Sequence, residues 1–157
     1  VEDILLNHKL YFAFPEGFHR MEGEELARLR FMEAGPGGCF KDTEKHLIVT
    51  TAWKEIAGLA AMFLKAKDVA SGMEAQIRKA MQPYGVRMGE AVKRDVGGKP
   101  AYGFRYGYEA EGIAMQGESL VLKEGKAYYY LHFYARAESA AEAAGVLDAI
   151  LASARWV

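Results

Sequence analysis

Between Ala101 and Ala135 apolar and polar positions alternate. Tyr102, Phe104, Tyr106 and Tyr108 share one parity, and Ala101, Gly103, Arg105 and Gly107 share the other. A period of two marks a pleated strand with two unlike faces. The pattern predicts three consecutive strands, 101–109, 113–122 and 126–135, with reversals at Ala110-Glu111-Gly112 and Lys123-Glu124-Gly125. Reversals this short join antiparallel neighbours, so the stretch reads as a meander.

Upstream, Ile4-Leu5-Leu6 and Leu10–Phe14 are short apolar runs about a turn at Asn7-His8-Lys9, and Pro15 stops the second. Pro15-Glu16-Gly17-Phe18 has turn chemistry, and Gly23–Arg30 carries Leu26 and Leu29 at helical spacing. Gly35-Pro36-Gly37-Gly38 breaks the chain before a hairpin of 39–41 and 46–53. A helical period follows. Ile56, Leu59, Ala60, Phe63 and Leu64 share a face, and Val69, Met73, Ile77, Ala80 and Met81 continue it. Ser71 and Glu74 have capping-box spacing, which predicts two helical pieces with a break near Lys67. A strand at 86–96 leads into the meander. A last helix is expected from Ser139, again in a capping box with Glu142, to about Ser153, with Gly145 tolerated through close packing on the sheet. Strands and helices do not alternate throughout, so the class is α+β: one antiparallel sheet with helices packed on it.

The 157 residues fit one domain able to bury roughly 68–70% of its unfolded surface without a metal or disulfide. A net charge of −1 argues against a nucleic-acid or anionic-membrane partner recognised by bulk charge. No apolar run approaches the ~20 residues of a membrane span. The single cysteine, Cys39, excludes an intrachain disulfide and fits a reducing compartment. The expected location is therefore cytoplasmic, unless a leader upstream of Val1 directs the chain out of the cell.

Several segments together resemble the PsbP-like fold family, which includes the extrinsic photosystem II protein, Mog-type Ran-binding proteins and DcrB-like bacterial proteins. Phe12-Ala13-Phe14-Pro15-Glu16-Gly17-Phe18 is similar to the family's early F-x-x-P-x-G-[FW] strand end. The strand at 47–53 leading into a helix over 56–81 is the second likeness. The third is the meander from Gly98-Lys99-Pro100-Ala101 to Tyr134, closed by a helix and Ser153-Ala154-Arg155-Trp156. The resemblance covers nearly the whole chain. It implies an antiparallel sheet between helices in a protein that binds other proteins, as most known members do, with some bacterial relatives acting as chaperone-like adaptors. It transfers no site residue, because these motifs describe strand ends.

The sequence offers little catalytic chemistry. His8, His19, His46 and His132 show no metal-binding spacing, and there is no C-x-x-C, so neither metal nor cofactor is expected. Gly117-Glu118-Ser119 lacks the closing glycine of a nucleophile elbow and lies within a strand. The candidate site is the polar-tipped face of the last meander strand: Tyr128, Tyr130, His132, Tyr134 and Arg136, extended by Tyr106. Two readings stay open for it. One is a contact surface for a protein partner or a second copy, since tyrosine and arginine are enriched at interfaces. The other is the second buried face of a sheet covered on both sides. The functional expectation is a non-enzymatic, protein-binding module. The alternative is a small-ligand binder or enzyme with a pocket between sheet and helix.

Overall fold

The computed structural model describes residues 2–28, 37–59 and 63–157. β1 (Asp3–Leu6) and β2 (Leu10–Ala13) form a hairpin. Its turn places Asn7 and His8 at positive φ and is closed by the Lys9 N–H donating to the Leu6 carbonyl at 2.9 Å. Pro15 ends β2, and Gly17 at φ 106° redirects the chain into β3 (Phe18–Arg20), a strand the turn chemistry had hidden. After α1 (Gly23–Ala27) come β4 (Gly37–Asp42) and β5 (Leu47–Glu55), the expected hairpin. Part of the expected glycine-rich break, Gly35 and Pro36, and the end of the first helix lie outside the described residues.

The expected break falls at Leu64 and Lys65, between helical Phe63 and α2 (Ala66–Ala80), which is itself continuous. Its start lies at Lys65, whose N–H donates to the Asp68 carboxylate at 3.3 Å. Ser71 is mid-helix, bonded to the Lys67 carbonyl at 3.3 Å, so it caps nothing. Glu74 instead pairs with Arg78 one turn on, at 2.8 Å. Residues 56–59 are not helical, and Ala60 of the predicted face lies outside the described residues. A 3₁₀ turn (Gln82–Tyr84) containing Pro83 and left-handed Gly85 end the segment, as expected. The meander follows: β6 (Arg87–Val96), β7 (Lys99–Ala110), β8 (Ile113–Glu124) and β9 (Ala127–Arg136). α3 (Ala140–Ala152) and the two-residue β10 (Arg155–Trp156) close the chain. Ser139 makes no side-chain cap there.

The strands form two sheets rather than the single one expected. The larger has order β3-β4-β5-β9-β8-β7-β6, and the smaller has order β1-β2-β10. Pro15 and Gly17 are the physical cause, because they turn the first hairpin off the large sheet. The chain end then supplies its third strand, Arg155 opposite Tyr11 and Trp156 opposite Leu10.

The large sheet is covered on both faces. On one, α2 sets Ala70 and Met73, with Met81 beyond its end, against Phe104, Tyr106, Tyr108, Val121, Tyr128 and Tyr134. On the other, the small sheet and α3 share the cover. Leu6, Leu10 and Phe12 from the hairpin and Leu147, Ile150 and Leu151 from α3 meet Leu120, Leu122, Tyr129, Leu131 and Phe133. Burying each such side chain contributes roughly 1.5–3 kcal/mol. Along β9 the parities separate as the alternation predicts, one per layer.

Candidate functional site

The tyrosine row lies on the face of the sheet that α2 covers, beside the helix's main contacts on β7 and β8. Tyr106, Tyr128 and Tyr134 are buried, while Tyr130, His132 and Arg136 are half-buried. The exposed aromatic patch expected of a contact surface is therefore absent at Tyr106, Tyr128 and Tyr134, because α2 occupies that side. The Tyr128 hydroxyl donates to the Leu64 carbonyl at 2.6 Å, pinning the chain just before α2 to the sheet. Lys123 donates to the same carbonyl at 3.0 Å. Arg136 sits 3.7 Å from Glu138 beside a separate hollow of about 310 Å³.

Within this layer, cross-strand register builds a polar row. His132 lies opposite Thr50 on one side and Ser119 on the other. Ser119 Oγ is 2.7 Å from His132 Nδ1 and 2.9 Å from the Tyr106 hydroxyl, which also bonds Tyr134. Gly117 makes this possible. A Cβ there would lie 2.4 Å from the Tyr106 ring, which rests over β8 at that point. Burial lowers the His132 pKa to about 4, so the imidazole is neutral at neutral pH. Burial raises the Tyr134 hydroxyl well above its ordinary value. Ser119 is fully buried and its oxygen is shared by two partners, so the row can relay or fix protons but presents no accessible nucleophile.

The space between sheet and helix lies on the opposite face. A cleft of about 420 Å³ runs between β5, β9 and α3, within the range of small-molecule sites. Leu47, Val49, Phe133 and Ala135 form its floor, and Ala143, Val146, Leu147 and Ile150 form its roof. Of the six residues singled out in the sequence, Tyr134 alone borders it, and its ring belongs to the other layer.

One end of the cleft is ionic. Glu118, 6% exposed, faces the layer of Phe133 and takes bonds from two arginines. Arg94 Nε and Nη2 donate to its two oxygens at 2.9 and 3.0 Å, and Arg105 Nε donates to Oε1 at 2.8 Å. The outer guanidinium nitrogens reach acids nearer the surface: Arg94 to Asp148 at 3.2 Å and Arg105 to Glu90 at 2.6 Å. The bonds to Glu118 raise both arginine pKa values, so the charges are permanent. Burying a carboxylate is expensive unless it is paired and hydrogen-bonded, and two guanidiniums satisfy that condition here.

This ionic cluster was not found by sequence reasoning, because its members sit far apart in sequence on β6, β7, β8 and α3. The available signal was an arginine among Ala101, Gly103 and Gly107 on one parity of β7, with Glu118 among Gln116, Leu120 and Leu122 on one parity of β8. Among the described residues, no three His, Cys, Asp or Glu side chains gather to hold a metal ion. Cys39 is half-buried with its thiol pKa raised by desolvation, the reverse of an activated thiolate.

No protein-family model and no curated protein sequence matches the chain. Its fold does match solved structures. Cyanobacterial PsbP (CyanoP) from Synechocystis sp. PCC 6803 superposes with TM-score 0.69 at 13% identity, covering 99% of this chain and 92% of that one. LpqN of Mycobacterium tuberculosis, described as involved in cell envelope biogenesis, superposes with TM-score 0.61 at 11% identity, over 94% of this chain and 83% of that one. A protein from Bacteroides thetaiotaomicron gives TM-score 0.63 at 9% identity, over 99% of this chain and 48% of that one. The chain has the PsbP-like fold, in agreement with the resemblance of its strand ends. Among the described residues, no helix is long and apolar enough to cross a membrane.

Proposed function

We propose that this PsbP-like chain is a non-enzymatic binding protein that holds a small amphipathic molecule in the cleft under α3. The observation that carries the reading is the cleft itself, about 420 Å³ of apolar-walled space ending in charged groups. Preformed apolar pockets with a few placed polar groups are where small ligands bind. The fully buried Ser119 supports a binding role over a catalytic one. The reading treats residues 1–157 as one domain, since β10 pairs with β2 and ties the chain end to the first hairpin.

The test is titration with Nile red, an uncharged apolar fluorophore. Saturable one-to-one binding is expected for the wild type. Ala143→Phe, which fills the cleft from the helix side, is expected to weaken binding at least about tenfold while circular dichroism is unchanged. Binding that ignores this substitution, or never saturates, sinks the reading.

Protein contact or self-association is the second reading, supported by a different place from the tyrosine row. Leu59 and Phe63 are 73% and 75% exposed, large apolar side chains facing solvent close to one another in sequence. Light scattering after size exclusion at two concentrations should show self-association that Phe63→Ser abolishes; a monomer at both leaves only a different partner. The lone thiol supports a reducing, cytoplasmic compartment, which the cell-envelope description of LpqN does not share.

A further inference from the structure

We infer that the ligand of the cleft is an anionic amphiphile, a monocarboxylate whose head group is gripped by Arg94 and Arg105 and whose apolar tail lies between Phe133 and α3. This rests on the cleft being a binding site and adds the chemistry of its occupant.

The donor inventory is the first support. An arginine carries five N–H donors in a planar fork. Arg94 commits three of them, two to Glu118 and one to Asp148. Arg105 commits two, one to Glu118 and one to Glu90. Glu118 already accepts three bonds on its two oxygens, so the buried side of the cluster has little acceptor capacity left, and only the exposed Glu90 and Asp148 hold more. A head group with acceptor oxygens matches the free guanidinium donors there, whereas an ammonium head would find Glu118 already occupied.

The second support is what now covers the outer edges of the guanidiniums. Glu90 and Asp148 have side chains 68% and 64% exposed, and each makes one ion pair with its arginine. Exposed pairs of this kind are worth little, so either carboxylate can swing into solvent at small cost. Glu90 lines the cleft and shows the geometry a ligand carboxylate would take on Arg105, a donor that borders the apolar space. Glu118 is not exchangeable in this way. It is buried, holds both arginines in place and prevents two like charges from repelling at the cleft end. A carboxylate replacing Glu90 and Asp148 leaves two arginines facing two carboxylates, a balanced group.

Three probes of one tail length, decanoate, decanol and decylamine, each below its micellar concentration, are used to displace Nile red from the full chain. Decanoate is expected to displace at concentrations about tenfold lower than decanol, with decylamine no better than decanol. Glu90→Gln with Asp148→Asn removes the competing carboxylates and is expected to tighten decanoate several-fold, leaving decanol unchanged. Both sites are exposed, so the fold is not at risk. Arg105→Gln, with Arg94 still holding Glu118, is expected to bring decanoate down to the level of decanol. Equal displacement by decanoate and decanol overturns the inference while the cleft reading survives. Tighter decylamine overturns it too, and assigns the end to cations. Failure of Nile red to bind at all removes the cleft reading and this inference together.

Discussion

Gly117 shows how one missing side chain sets the contents of a layer. The Tyr106 ring occupies the space where a β-carbon would sit at that position, and this lets its hydroxyl reach Ser119. Gly117→Ala must push the ring off β8 and break a buried hydrogen bond, a loss of about 1–3 kcal/mol in urea unfolding. His132 belongs to the same row and is the titrating group within it. Its pKa of about 4 when folded lies below the 6.5 of a free histidine, so the folded state disfavours the charged form. The stability this withholds is fully present above the unfolded pKa. It is lost progressively as pH falls through 6.5 towards 4, since protons then bind the unfolded chain first. A denaturation midpoint measured across that window should drop more steeply in the wild type than in His132→Gln, where nothing titrates at that place. Parallel slopes would show that the imidazole carries no such linkage.

At the scale of the element, α3 is held by its buried stripe rather than by its ends. Leu147, Ile150 and Leu151 are buried, while Ser139 makes no cap. Gly145 was expected to lie against the sheet. It is exposed instead, and nothing stands within 4 Å of where its β-carbon would be. Gly145→Ala therefore gains helix propensity without a clash and should stabilise the protein by up to about 1 kcal/mol, read as a raised thermal midpoint. α2 teaches the complementary lesson. The capping spacing at Ser71 and Glu74 is real in the sequence, yet both side chains lie along an unbroken helix, one bonded back to Lys67 and the other to Arg78. A capping box needs a chain that is not already helical when it arrives.

For the whole molecule, the ionic cluster is the link between the sheet edge and α3. Arg94 on β6 reaches across β7 to Glu118 on β8 and up to Asp148 on the helix. Arg94→Met removes two of the three bonds to a buried carboxylate and should cost about 2–3 kcal/mol in urea unfolding, more than most single surface changes. An effect below about 0.5 kcal/mol would mean that water replaces the arginine without penalty. The two-sheet arrangement also belongs to this scale. Each strand of the small sheet is too short to be stable alone, and its buried residues Leu6, Leu10 and Phe12 hold it to the large sheet.

What the sequence by itself determined is local. Alternation along β7 and β9 assigned each side chain to a face, since the pleat fixes that without reference to the rest of the chain. Turn residues marked most of the strand ends, and the strand-end motifs pointed to the PsbP-like fold that the superpositions show. The tertiary structure alone decided what covers each face. The tyrosines carry the same pattern whether they meet solvent or a helix, and only the placement of α2 buries them. It also decided that β1, β2 and β10 form their own sheet, because strand pairing depends on where Pro15 and Gly17 send the chain. The cleft and its Arg94–Glu118–Arg105 end exist only through register. Pairing Arg105 with Glu118 brings together residues that no local period connects.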